Sequence, residues 1–182
     1  MTTLFDAARQ MRLSAPANAR LEPGMTPRLA VQTLLDEGLA ADALSLLARL
    51  LPRRYTVAWV CQCASREVLG AHDREGVALA EAWVRAPEEA QRAAAAAFAS
   101  EHRYRTIGAW ACASAGWTGG NLNPRNEQPT PPPEHLSAIA AMAAVTYMAA
   151  LVPAQIDERR TAFVRDALGL LGIPNGMSGA TQ

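Results

Sequence analysis

The chain has 182 residues with 17 basic and 17 acidic side chains, a formal net charge of zero, and a composition that is 50% apolar and 19% charged. That is one domain's length with ample material for a core, and it lacks the basic surplus that nucleic acid or an anionic membrane surface requires. Every basic residue is Arg and Ala makes up roughly a fifth of the chain, a bias of GC-rich bacterial genomes that also favours helix.

The opening MTTLFDAARQMRL carries Asp6 and no long apolar run, so it does not read as a secretory leader and the expected location is the cytoplasm. Residues 1–25 hold Pro16, Pro23 and Gly24 with weak periodicity, which predicts a short amphipathic start over residues 4–13 followed by a loose arm. The helical domain then spans residues 26–172, and residues 173–182 are expected to be a mobile tail.

Thr26-Pro27 is a cap followed by Pro at the first helical position, and the helix it opens should end at Gly38. A second helix over residues 41–51 presents Leu44, Leu47, Ala48 and Leu51 on one stripe before Pro52 stops it, and the short connection forces an antiparallel pair. Residues 53–69 form a third helix with apolar residues on more than one face, which predicts a central position. Asp73 is positioned to cap a fourth helix that runs through Trp83 and Val84. Ala86-Pro87-Glu88-Glu89 breaks the pattern and starts a fifth helix ending near Glu101.

Thr106 caps a sixth helix holding Ile107, Trp110, Ala111, Ser114 and Trp117, which Gly119-Gly120 ends. Trp110 and Trp117 lie two helical turns apart and therefore share a face. The segment NLNPRNEQPTPPP that follows, residues 121–133, is polar and proline-rich, and reads as a stiff strap crossing from one end of the bundle to the other or as a functional loop. A seventh helix covers residues 134–152 and an eighth residues 154–171. The seventh is uncharged over 136–152, but it is mostly Ala and ends at Pro153 before a bilayer thickness is reached, so no membrane insertion is expected. The fold class is therefore all-α, a single irregular bundle of seven or eight helices with a proline-rich strap before the last two.

Chemistry is sparse. Cys61 and Cys63 point to nearly opposite sides of a helix and Cys112 is remote, so neither a disulfide framework nor a zinc pair follows. His72, His102 and His135 sit at predicted helix boundaries without ligand spacing, and no metal or cofactor is expected. No Ser stands in a nucleophile elbow, and Gly119-Gly120 has no following Lys or helix with which to cradle phosphate. Arg53-Arg54, Arg103 with Arg105, and Glu158-Arg159-Arg160 are small charge clusters that solvate helix faces or meet an acidic protein partner.

The stretches LxxxGLAxDALxLLARLLPRR (residues 34–54), AEAWVRAPEEAQRAAA (80–95), GAWACASAGWTGGNL (108–122) and PPPEHL (131–136) resemble a family of small uncharacterised helical proteins of proteobacteria. The resemblance covers about residues 25–170, and its most specific part is Trp-x6-Trp-x-Gly-Gly with the proline segment after it. Genes of that family lie near those for type VI secretion accessory proteins, so the resemblance implies a non-enzymatic accessory or adaptor that binds a secretion effector, spike or accessory component. It brings no catalytic residues. The expected partner-binding residues are Trp110, Trp117, Asn121, Asn123, Arg125 and Asn126: aromatic anchors beside a polar loop on a rigid scaffold. The alternative is a small-molecule enzyme or ligand-binding protein with an interhelical pocket near Trp110, Trp117, His102 and His135.

Overall fold

The computed structural model describes residues 3–123 and 128–172. Among them are ten α-helices and no strand: α1 (Leu4–Gln10), α2 (Ala15–Asn18), α3 (Pro27–Asp36), α4 (Ala40–Leu50), α5 (Arg53–Ala64), α6 (Ala71–Arg85), α7 (Glu89–Glu101), α8 (Ile107–Gly116), α9 (Leu136–Ala149) and α10 (Ile156–Ala167). The all-α bundle follows from the helical periodicity. The fine structure of its ends does not, and two 3₁₀ segments, Pro153–Gln155 and Leu168–Gly172, bracket α10 within what the pattern shows as one helix.

The segment before residue 26 is packed rather than loose. Thr3 and Asp6 form a reciprocal capping box on α1, and Ser14 caps α2. Ala7, Ala8, Met11, Leu13, Ala17 and Leu21 are buried in the common core. Asp42, in the first turn of α4, holds the segment by accepting from the Ser14 backbone N–H at 2.7 Å and from its hydroxyl at 2.8 Å. Ala-rich spacing conceals this packing, because Ala contributes little to a hydropathy pattern yet lets helices approach closely.

α8 is the centre of the bundle, surrounded by α6, α7, α9 and α5, and only Trp110 among its residues is not fully buried. Its neighbours approach closely because glycines remove side chains at the crossings. A Cβ on Gly76 would lie 2.7 Å from the Gly108 backbone, and one on Gly116 would lie 2.8 Å from the Ala96 Cα. α5, expected to be central, also packs inward: Trp59 is 1% exposed and its indole N–H donates to the Phe163 carbonyl of α10 at 3.0 Å.

One capping assignment changes. α6 starts after Gly70 with no side-chain cap, and Asp73 instead accepts the Gly108 backbone N–H at 2.7 Å, capping α8 alongside Thr106. The proline segment does not cross the bundle. Ser137, at the start of α9, donates to the Ser114 carbonyl near the end of α8 at 2.6 Å, so the segment leaves and returns at the same end. α9 itself is largely buried, and no single described helix is long and apolar enough to cross a membrane.

Candidate functional site

The turn from α7 to α8 holds two consecutive non-glycine residues in the left-handed region, Arg103 (φ 52°) and Tyr104 (φ 55°). Such a backbone is unfavourable for a residue with a Cβ and persists only where the surroundings hold it. Here the Arg103 and Tyr104 backbone N–H groups donate to the Ser100 and Ala99 carbonyls at 3.0 and 3.1 Å, and ring contacts add to that hold at Tyr104. The Tyr104 ring lies 5.2 Å from Trp117 and 5.8 Å from Trp110, and the two indoles meet edge to face at 6.2 Å and 75°. Two turns of α8 bring the tryptophans onto one face as their spacing predicts, and the ring quadrupoles favour this arrangement.

Tyr104 and Trp117 line one end of a groove of about 260 Å³ between α7 and the chain that leaves α8, whereas Trp110 contacts both rings without lining the groove. Its α7 wall is Arg92, Ala96 and Ser100, spaced four apart, with Ala97 beside them, continued by Tyr104 beyond the helix end. Its other wall is Gly116, Trp117, Gly119, Asn121 and Leu122. Leu122 is 41% exposed, an apolar side chain offered to solvent beside half-buried aromatics. The Trp110 indole nitrogen is buried with no hydrogen-bond partner.

Arg92 fixes the far end. Its guanidinium donates to the Gly116 carbonyl at 2.7 Å and to the Gly119 carbonyl at 3.3 Å, ending α8, and grips both Glu89 carboxylate oxygens at 2.6 and 2.7 Å. The bonds from Arg92 hold the Glu89 carboxyl below its usual range, and Glu89 in turn raises the Arg92 pKa. Gly120 sits at φ +83° with its Cα against this guanidinium, where a Cβ would meet Arg92 at 2.5 Å. α8 ends at Gly116, ahead of the Gly-Gly pair expected to stop it, and Gly120 lets an arginine lie flat against the loop that follows.

Asn121 is brought to the groove, and it has a structural task. Its Oδ1 accepts from the backbone N–H of Asn123 at 3.0 Å and of Thr130 at 2.8 Å, and the Leu122 N–H donates to the Thr130 carbonyl at 2.8 Å. These bonds close the neck of the proline segment. Asn123 is exposed beside that neck, while Arg125 and Asn126 lie outside the described residues. Arg92, Ser100, Tyr104 and Leu122 are site residues that the sequence reading missed. The first two are legible afterwards as a four-residue stripe on α7.

The residues of the pocket alternative are dispersed. His102 stacks on Phe98 at 4.0 Å, with its Nδ1 3.1 Å from the Phe98 carbonyl, and faces His72 at 5.8 Å. His135 lines a separate cleft with Gln10, Met11, Arg12, Ile139 and Met142. The three thiols are buried, and burial pushes Cys61 and Cys112 up to about 12 and raises Cys63 as well. Among the described residues, no three His, Cys, Asp or Glu side chains are grouped as a metal ion requires.

A protein family of unknown function, DUF6931, matches residues 30–171. The match begins within α3 and takes in the aromatic groove, and the chain belongs to that family. No curated protein and no solved structure matches the chain.

Proposed function

We propose that this DUF6931 member is a non-enzymatic adaptor that seats a segment of a partner protein in the groove between α7 and the chain leaving α8. The observation that carries the reading is the half-buried Tyr104 and Trp117, packed on Trp110 and lining the groove with exposed Leu122. Large aromatics held rigid beside a solvent-facing apolar edge are what protein interfaces use as anchors, since little side-chain entropy is lost on docking. Among the described residues, the groove lining is aromatic, apolar and amide-bearing apart from Arg92 and Ser100. The resemblance in sequence extends the proposal to a cytoplasmic accessory of type VI secretion, with an effector, spike or sister accessory component as partner.

The test is co-purification from the native cell with quantitative mass spectrometry. Trp117→Ala should lower recovery of a discrete partner at least about tenfold while the helical circular dichroism persists, because anchor truncations cost about 2 kcal/mol or more. Asn123→Ala tests the loop itself: reduced recovery assigns the loop to the interface, and unchanged recovery confines the interface to the groove. Undiminished recovery with Trp117→Ala contradicts the proposal.

A further inference from the structure

The N-termini of α5 and α7 border one cleft of about 500 Å³, lined by Arg53, Arg54, Arg92, Glu88, Glu89 and Trp83 among others. Neither helix has a side-chain cap, so first-turn amides add partial positive charge there. The arginines here are anchored on backbone carbonyls at the ends of α6 and α8. Arg54 Nε donates to the Val84 carbonyl of α6 at 2.8 Å, Arg53 Nη1 to the Thr118 carbonyl after α8 at 2.9 Å, and Arg92 Nη1 to the Gly116 carbonyl at 2.7 Å. Those bonds fix the guanidiniums and leave Arg53 and Arg54 with further N–H donors.

The charges divide unequally. Arg92 is matched by Glu89, whereas Arg53 and Arg54 form no ion pair among the described residues, and Glu88 is the one acid on the rim without a partner there. Three cations thus face two anions in a molecule whose net charge is zero. Arg92 also lines the aromatic groove, so groove and cleft meet at that residue.

We propose that the cleft recognises carboxylates of the partner segment, adjacent Asp or Glu side chains that pair with Arg53 and Arg54 while an apolar residue of the same segment rests against Trp117. This deepens the adaptor reading and rests on it. A single carboxylate fits the bidentate fork of a guanidinium, as Glu89 does on Arg92. A phosphate backbone needs a larger cationic surplus than this cleft holds, with Glu88 and Glu89 on its rim.

Two synthetic peptides test it on the full chain by calorimetry: a tryptophan followed by two glycines and Asp-Glu-Asp-Glu, and the same peptide with Asn-Gln-Asn-Gln. The acidic peptide should bind about tenfold tighter at low salt, with the advantage lost at high salt. Arg53→Gln and Arg54→Gln should each weaken it about fivefold, and Glu88→Gln should tighten it by about twofold or more. Glu88→Gln touches no carbonyl and keeps the test open if an arginine variant fails to fold.

Equal affinity for the two peptides, or no response to Glu88→Gln, overturns the proposal. Tighter binding of inorganic phosphate or of a DNA duplex overturns the carboxylate assignment. Native-partner recovery that falls with Trp117→Ala but not with Arg53→Gln or Arg54→Gln refutes the cleft and leaves the adaptor reading. Recovery that falls with none of them refutes both.

Discussion

Trp59 and Trp110 put the same side chain to opposite uses. The Trp59 indole is buried and donates to the Phe163 carbonyl, tying α5 to α10 across 104 residues of sequence. Trp110 packs against Tyr104 and Trp117 with its own N–H unpaired. Trp59→Phe therefore forfeits a buried hydrogen bond and ring volume, a loss of about 2–3 kcal/mol. Trp110→Phe loses no hydrogen bond and should cost about 1 kcal/mol or less, so chemical denaturation of the two variants should separate them clearly. The cysteines give a second residue-scale expectation. With Cys61 and Cys112 pushed up to about 12 by burial, the native thiols stay protonated at pH 8 and should react with a disulfide reagent at least about a hundredfold more slowly than in denaturant. A thiol whose pKa is raised on folding contributes stability that is fully present below its unfolded pKa of about 9 and is lost as pH rises toward the folded value. Melting temperature should accordingly fall between about pH 9 and 12, and a flat profile there would contradict the burial.

At the scale of elements, glycine governs the spacing. On propensity alone Gly→Ala within a helix should stabilise by about 1 kcal/mol. At Gly76 and Gly108 the new Cβ would meet backbone at 2.7 Å, so each Ala variant should instead lose about 1–3 kcal/mol as α6 and α8 are forced apart. Gly169 has nothing within 4 Å and serves as the control, with a melting temperature unchanged or slightly higher. Destabilisation of the control equal to that of the core variants would mean that the helices do not approach this closely. These crossings mark where sequence reading stops. The helices from Thr26 onward are legible because caps, Pro and Gly punctuate a helical apolar period, as at Thr26-Pro27 and Thr106. Asp73 misleads because its one-dimensional context is that of a cap for its own helix, while its partner Gly108 is 35 residues away. The close α6–α8 contact is likewise invisible, since a glycine inside a helix carries no sign of which neighbour it admits.

For the whole molecule, the functional account is that a buried helix, α8, delivers two tryptophans to one surface and that its C-terminus is held by Arg53 and Arg92. The paired tryptophans were legible from seven-residue spacing. The groove that Trp117 borders was not, because its other wall comes from α7 and its second ring from a strained Tyr104 that no helical pattern includes. Asn121 was legible as a loop residue but not as the bracket that closes the loop's neck, which depends on Thr130 returning to it. Asn121→Ala should therefore speed hydrogen exchange at the Leu122, Asn123 and Thr130 amides without unfolding the bundle. The most direct measurement is site-specific photocrosslinking in the native cell, with a photoreactive residue at exposed Ser100 in the groove and a control at exposed Arg28 on α3. Position 100 should give one discrete adduct, identified as the co-purifying protein and reduced by Trp117→Ala, and position 28 should give none. The same adducts from both positions, or none from position 100 while the partner still co-purifies, would contradict the functional account.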